Sequence, residues 1–176
     1  MGTSHEPFLQ AIDSGINECF GKLNRALDGL SEDELRWQPT LEANPIDWMV
    51  WHMARVEDNL VNVVLQNQAP IWERDGWGDR LGTSYAGAGA GMTMDEIRAM
   101  GRIDVPLVMK YYRSIRMETS DYFENVMRED DLSRVIEHTN FRGWTGAQIL
   151  GRLLCEEAEH LGQIEYLRGM MRGLNK

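Results

Sequence analysis

The feature that most constrains this chain is the period of its apolar residues, which recur every three or four positions in four separate stretches. That spacing lines one face of a helix and leaves the opposite face polar, so the stretches must pack against one another. The first runs from about Pro7 to Gly29 and aligns Phe8, Ile12, Ile16, Cys19, Leu23 and Ala26. The second runs from Asn44 to about Gln66 and turns Met49, Met53, Val56, Leu60 and Val63 inward. Asn44 as cap and Pro45 at the first helical position mark its start. The third begins near Asp104, with Pro106 in its first turn, and carries Val108, Tyr111, Tyr112, Ile115, Tyr122, Phe123 and Val126 as far as Met127. The fourth opens at Thr145, with Gln148 at capping-box spacing, and ends near Arg172. Ser31 with Glu34, and Thr93 with Glu96, repeat that spacing and predict two short helical turns. Only Leu132 to Thr139 alternates, weakly, as a strand would. The expected fold is all-α, a four-helix bundle. With 176 residues, 43% of them hydrophobic, the chain suits a single domain spanning 1–176 with one filled core.

One connection is too long for a bundle of nearest neighbours. Residues 67–92 carry Pro70, Trp72, Gly76, Trp77, Gly78 and Gly82, then alternate glycine with alanine from Tyr85 to Gly91. Such a segment is poor helix and poor strand. A connection of this length inside a compact domain either serves a site, as lid or pocket wall, or is a passive crossover.

Charge narrows the partners. The formal net charge is -10, with no Lys/Arg run, which disfavours nucleic acid and anionic lipid. No apolar stretch approaches the roughly 20 residues of a membrane span. Met1 to Phe8 lacks the cationic-then-apolar order of a secretory signal. Cys19 and Cys155 form no framework and read as two reduced thiols, so the expected location is cytoplasmic. Cys19 falls near the core face of the first helix. Cys155 is roughly 100° round the fourth helix from Glu156 and is not expected to join a site there.

The chemistry-bearing residues stand out against the apolar pattern. Glu156 and His160 are one turn apart on the stripe that also carries Ile149, Leu153, Ile164 and Leu167. Two ionisable residues therefore occupy positions where the pattern asks for leucine, at a cost unless something satisfies them. His52, on the border of the apolar face of the second helix, can reach them across a helix seam. His52, Glu156 and His160 would hold one divalent metal with a position left open, the ligand count of catalytic sites. The alternative is a hydrogen-bonded core histidine and a buried Glu–His pair. Glu157, three residues before His160, is a substitute ligand. A di-metal site needs a second Glu-x-x-His motif, and neither His52 nor His138 has one. His138 reads as a surface histidine, and His5 belongs to the terminus. Trp48, Trp51, Trp72 and Trp77 read as core or seam packing, with the loop pair Trp72 and Trp77 as alternative pocket lining.

Two segments resemble a known family. Asp47-Trp-Met-Val-Trp-His-Met-Ala-Arg-Val-Glu57 is similar to the metal-histidine segment of the DinB-like superfamily. Glu156-Glu-Ala-Glu-His-Leu-Gly-Gln-Ile-Glu-Tyr-Leu-Arg168 resembles its fourth-helix motif, His-x-x-x-His-x-Gly-Gln-Ile followed by Leu-Arg. Leu30-Ser-Glu-Asp-Glu-Leu35, ahead of Trp37 and Pro39, matches the usual link between helices one and two. The likeness covers nearly the whole chain in order and spacing.

The resemblance implies an up-down-down-up bundle, in which the long crossover joins parallel second and third helices. It implies one divalent ion, zinc, nickel or a similar one, held by three side chains that are commonly all histidine. It also implies metal-dependent transfer or isomerisation using a low-molecular-weight thiol such as mycothiol or bacillithiol. Glu156 departs from the pattern, standing where the family usually has its first fourth-helix histidine. Two histidines and a carboxylate remain a recognised zinc set and the facial triad of non-haem iron enzymes. The expected function is thiol transfer to an electrophilic small molecule, or its hydrolysis, with a non-catalytic metal-binding or scaffold bundle involved in stress response as the alternative and a homodimer as the expected assembly.

Overall fold

The computed structural model describes residues 6–83 and 85–173, which leaves His5 outside the described residues. Nine α-helices occur among them: α1 Glu6–Leu27, α2 Glu32–Arg36, α3 Ile46–Asp58, α4 Ile71–Arg74, α5 Trp77–Leu81, α6 Met94–Ala99, α7 Val105–Asp121, α8 Glu129–Ser133 and α9 Gly146–Arg172. The four long ones, α1, α3, α7 and α9, form the bundle.

Contacts that climb in step fix the direction of each pair. Asp47 accepts from the Ile103 amide, Arg55 reaches Tyr111, and Glu57 reaches Arg116, so α3 and α7 run parallel. Leu154 packs on Gly15 and Arg168 donates to the Ala26 carbonyl, so α1 and α9 are parallel too. Asp13 meets Arg116 while Phe20 meets Tyr112, which sets α1 antiparallel to α7. The topology is up-down-down-up, and the chain from 66 to 104 is the crossover that the parallel pair requires.

Local chemistry explains most boundaries. Ser31, Thr93 and Thr145 each close a full capping box with Glu34, Glu96 and Gln148. Asp104 caps α7 through the Leu107 amide. The start of α3 lies one residue later than the Asn-Pro signal predicts: Pro45 keeps an extended ψ of 158° and becomes the cap, and the helix opens at Ile46. Both α3 and α7 run past their α-helical ends as π-turns, Asn59–Leu65 and Tyr122–Val126. Leu132 to Thr139 forms no strand; one antiparallel bridge joins Val135 to Thr145.

The core has two apolar regions. One gathers Trp51, Tyr111, Tyr112, Ile115 and Ile164, the other Ile16, Leu60, Phe123, Ile149 and Leu153. A polar layer supplied by all four long helices adjoins them. Arg116 donates to Glu57 at 2.5 Å and to Asp13 at 2.8 Å, and Tyr112 donates to Glu157. No described helix is long and apolar enough to cross a membrane.

Candidate metal centre

His52, Glu156 and His160 come together at the seam of α3 and α9. One ligand atom from each lies within 4.8 Å of the others. Glu156 Oε2 stands 3.2 Å from His160 Nε2 and 3.9 Å from His52 Nε2. His52 is 5% exposed and Glu156 8%, while His160 is half-buried.

The proton positions decide what these contacts are. His52 Nδ1 faces the Ala88 carbonyl at 2.5 Å. A carbonyl only accepts, so Nδ1 carries the proton and Nε2 keeps its lone pair. His160 Nδ1 faces Gln163 Oε1 at 3.1 Å, which fixes the same tautomer by the same reasoning. Burial lowers the His52 pKa to about 4 and lowers that of His160 as well, so both rings are neutral near pH 7. Neither contact with Glu156 is then an ion pair. Two imidazole lone pairs and a carboxylate oxygen converge, an arrangement that repels itself unless a cation lies among them. The donor set fits a divalent metal.

The surroundings hold this geometry. Trp48 stacks flat on His52, with ring centroids 4.8 Å apart and planes within 7°. Arg152, one turn before Glu156, contacts Glu156 Oε1 and leaves Oε2 to the imidazoles. A cavity of about 500 Å³ opens on the three residues, a size suited to a small ligand. Its wall includes Asn44, Trp48, Gly89, Asn140, Phe141 and Arg152. The crossover is thus a pocket wall through its Gly/Ala segment.

Other sequence expectations divide. Glu157 turns away from the cluster, fully buried, and accepts from Tyr112. Burial, then the nearby Glu57, push its carboxyl well above the usual range. Trp72 and Trp77 pack in the core against Tyr111 and lie off the wall of this cavity, whose tryptophan is Trp48. Cys155 is exposed and Cys19 buried, as expected. His138 is half-buried beside Phe141 instead of lying free on the surface. Sequence reasoning misses Gln163, Arg152 and Ala88. The first two sit at i+3 from His160 and i−4 from Glu156, spacings that a helix brings together. Ala88 contributes a backbone carbonyl and leaves no side-chain signal.

A parallel-paired bundle with a His/Glu/His cluster between its second and fourth long helices is of the DinB-like class. The chain belongs to the mycothiol S-transferase family, whose profile matches residues 12–173. The crystal structure of a conserved protein from Enterococcus faecalis has the same fold, with a TM-score of 0.82 over 99% of this chain and 100% of that one, at 19% identity. No curated protein matches the chain in sequence.

Proposed function

We propose that this protein joins a low-molecular-weight thiol to an electrophilic small molecule, with His52, Glu156 and His160 as ligands of one divalent metal. The observation that carries the reading is the convergence of the two Nε2 atoms on Glu156 Oε2, at 3.9 Å from His52 and 3.2 Å from His160, with both Nδ1 atoms turned to Ala88 and Gln163. A metal bound there lowers the pKa of a thiol or water, which makes an anionic nucleophile available at neutral pH.

The chain's own groups supply the remainder. Trp48 and Phe141 give the pocket apolar surface that excludes water, and Asn44 and Asn140 offer amides to a polar ligand. Arg152 holds Glu156 in place and adds positive charge where a nucleophile must remain ionised. In the transfer the thiol loses its proton to solvent water, its sulfur bonds to the electrophilic carbon, and that carbon releases its leaving group with the bonding pair. The whole chain acts as one domain in this reading, and zinc is its first candidate ion, two imidazoles and a carboxylate being a recognised zinc set.

The Arg152–Glu156 contact favours a second reading, a scaffold in which these polar groups satisfy each other without a metal. The test is elemental analysis of untagged protein with a thiol-consumption assay on zinc-loaded samples. About one ion per chain, lost together with thiol consumption in H160A while the helical circular dichroism is retained, supports the proposal. Wild-type protein without metal, or H160A with unchanged metal content, refutes it.

A further inference from the structure

The Gly/Ala segment touches the centre through a single bond, and the structure shows what holds that bond in place. His52, Arg55 and Asp58 follow one another at intervals of three along α3 and share the face that meets the crossover. Asp58 accepts the Ile71 and Trp72 amides, both at 2.9 Å, near the start of the crossover. Arg55 donates Nη2 to the Ala86 carbonyl at 2.5 Å and Nε to the Gly87 carbonyl at 3.2 Å. The next carbonyl, Ala88, accepts from His52. Three successive peptide oxygens are therefore taken by two side chains one helical turn apart. Arg55 is itself fixed from behind by Asp58 at 3.5 Å, by the Tyr111 hydroxyl at 3.2 Å and by the Trp72 ring at 4.4 Å.

Gly89 lets the strap lie this close. A Cβ there would stand 2.8 Å from Trp51, 3.0 Å from His52 Nδ1 and 3.1 Å from Trp48, and its φ of +94° is one that side chains disfavour. Any larger residue must push the strap and these rings apart.

We propose that Arg55 and Gly89 are positioning residues for the centre: by clamping residues 86–89 onto α3 they present the Ala88 carbonyl to His52 Nδ1, which aims the free Nε2 toward Glu156 and His160. The inference rests on the metal reading only for its consequence, because the tautomer of His52 exists with or without an ion. Partners of this kind orient ligating histidines, and their loss typically weakens metal binding about 10- to 100-fold.

The test compares wild type, G89A, R55K and G82A. Gly82 lies in the same crossover at φ +66°, and a Cβ added there would meet nothing within 4 Å, so G82A carries the backbone strain without the contact. Lysine at 55 keeps the charge beside Asp58 but lacks the planar fork that spans two carbonyls. Imidazole ¹⁵N NMR of the metal-free proteins reads the tautomer, and competition with a chromophoric chelator reads zinc affinity. Expected are an Nδ1-protonated His52 in wild type and G82A, a mixed tautomer in G89A and R55K, and zinc affinity about 10- to 100-fold weaker in the latter two. A comparable fall in Tm for G82A and G89A excludes general destabilisation as the cause. A wild-type His52 without that tautomer, or G89A matching G82A in tautomer and affinity, overturns the inference. Zinc binding to none of the four removes the metal reading, and the NMR comparison still decides the clamp.

Discussion

Glu156 and Glu157 are neighbours in sequence and both buried, yet they sit in opposite kinds of surroundings. Glu157 enters a layer of charged groups that contact one another: Tyr112 donates to one of its oxygens, and Arg116 pairs with Glu57 and Asp13. Glu156 shares Oε2 with two neutral imidazoles that have no proton to offer it. In the first arrangement the guanidinium lies within the layer; in the second the Arg152 guanidinium meets Oε1 and leaves Oε2 facing the two imidazoles. Burial alone therefore does not mark a site. What marks it is convergent lone pairs whose protons have been directed elsewhere.

The sharpest way to break the contrast is to remove the cation of the Glu157 layer. R116M leaves Glu57 buried without its partner and should destabilise the protein by about 3–5 kcal/mol in urea unfolding. The zinc content of the folded variant should stay that of wild type; a loss of zinc matching that of H160A would show that the two regions are not separate.

The contrast is sharpened by removing a proton acceptor. Q163L frees His160 Nδ1 and should weaken zinc binding by about 10- to 100-fold, read by chelator competition, with Tm of the apoprotein little changed. Equal affinity in Q163L and wild type would mean that Gln163 does not orient the ring.

The smallest effect belongs to a pair outside both regions. Arg172 grips Glu34 through two bonds of 2.6 Å, and that contact, first of all, lowers the Glu34 pKa to about 2. A carboxylate with a depressed folded-state pKa contributes stability that is complete above its unfolded value of 4.5 and fades as pH falls through about 2. E34Q should therefore lower Tm slightly at pH 7, less so in high salt, and the difference should vanish toward pH 2. A difference that grows on acidification would contradict the sign.

The sequence discloses much of this because helices express their packing as a period. The four long elements, three capping boxes and the inward placement of Glu156 and His160 are all readable from spacing. His52 can be assigned to the seam because it lies on the border of an apolar face. Other features are hidden for physical reasons. Glu157 stands three residues before His160 and so shares a helix side with it, which keeps a single-sequence reading from assigning Glu156 and Glu157 to different clusters. The Ala88 carbonyl belongs to a segment without side-chain information. Arg55 and Asp58 are legible as charges in an apolar helix, but their partners are backbone groups of a distant loop, which no spacing within α3 can reveal.

The most direct test of the central claim is metal stoichiometry, by elemental analysis of dialysed protein, for the pair E156Q and E157Q beside wild type. The account predicts about one divalent ion per chain in wild type and in E157Q, and its loss in E156Q. Equal metal content in the two variants, or loss in E157Q alone, would contradict it.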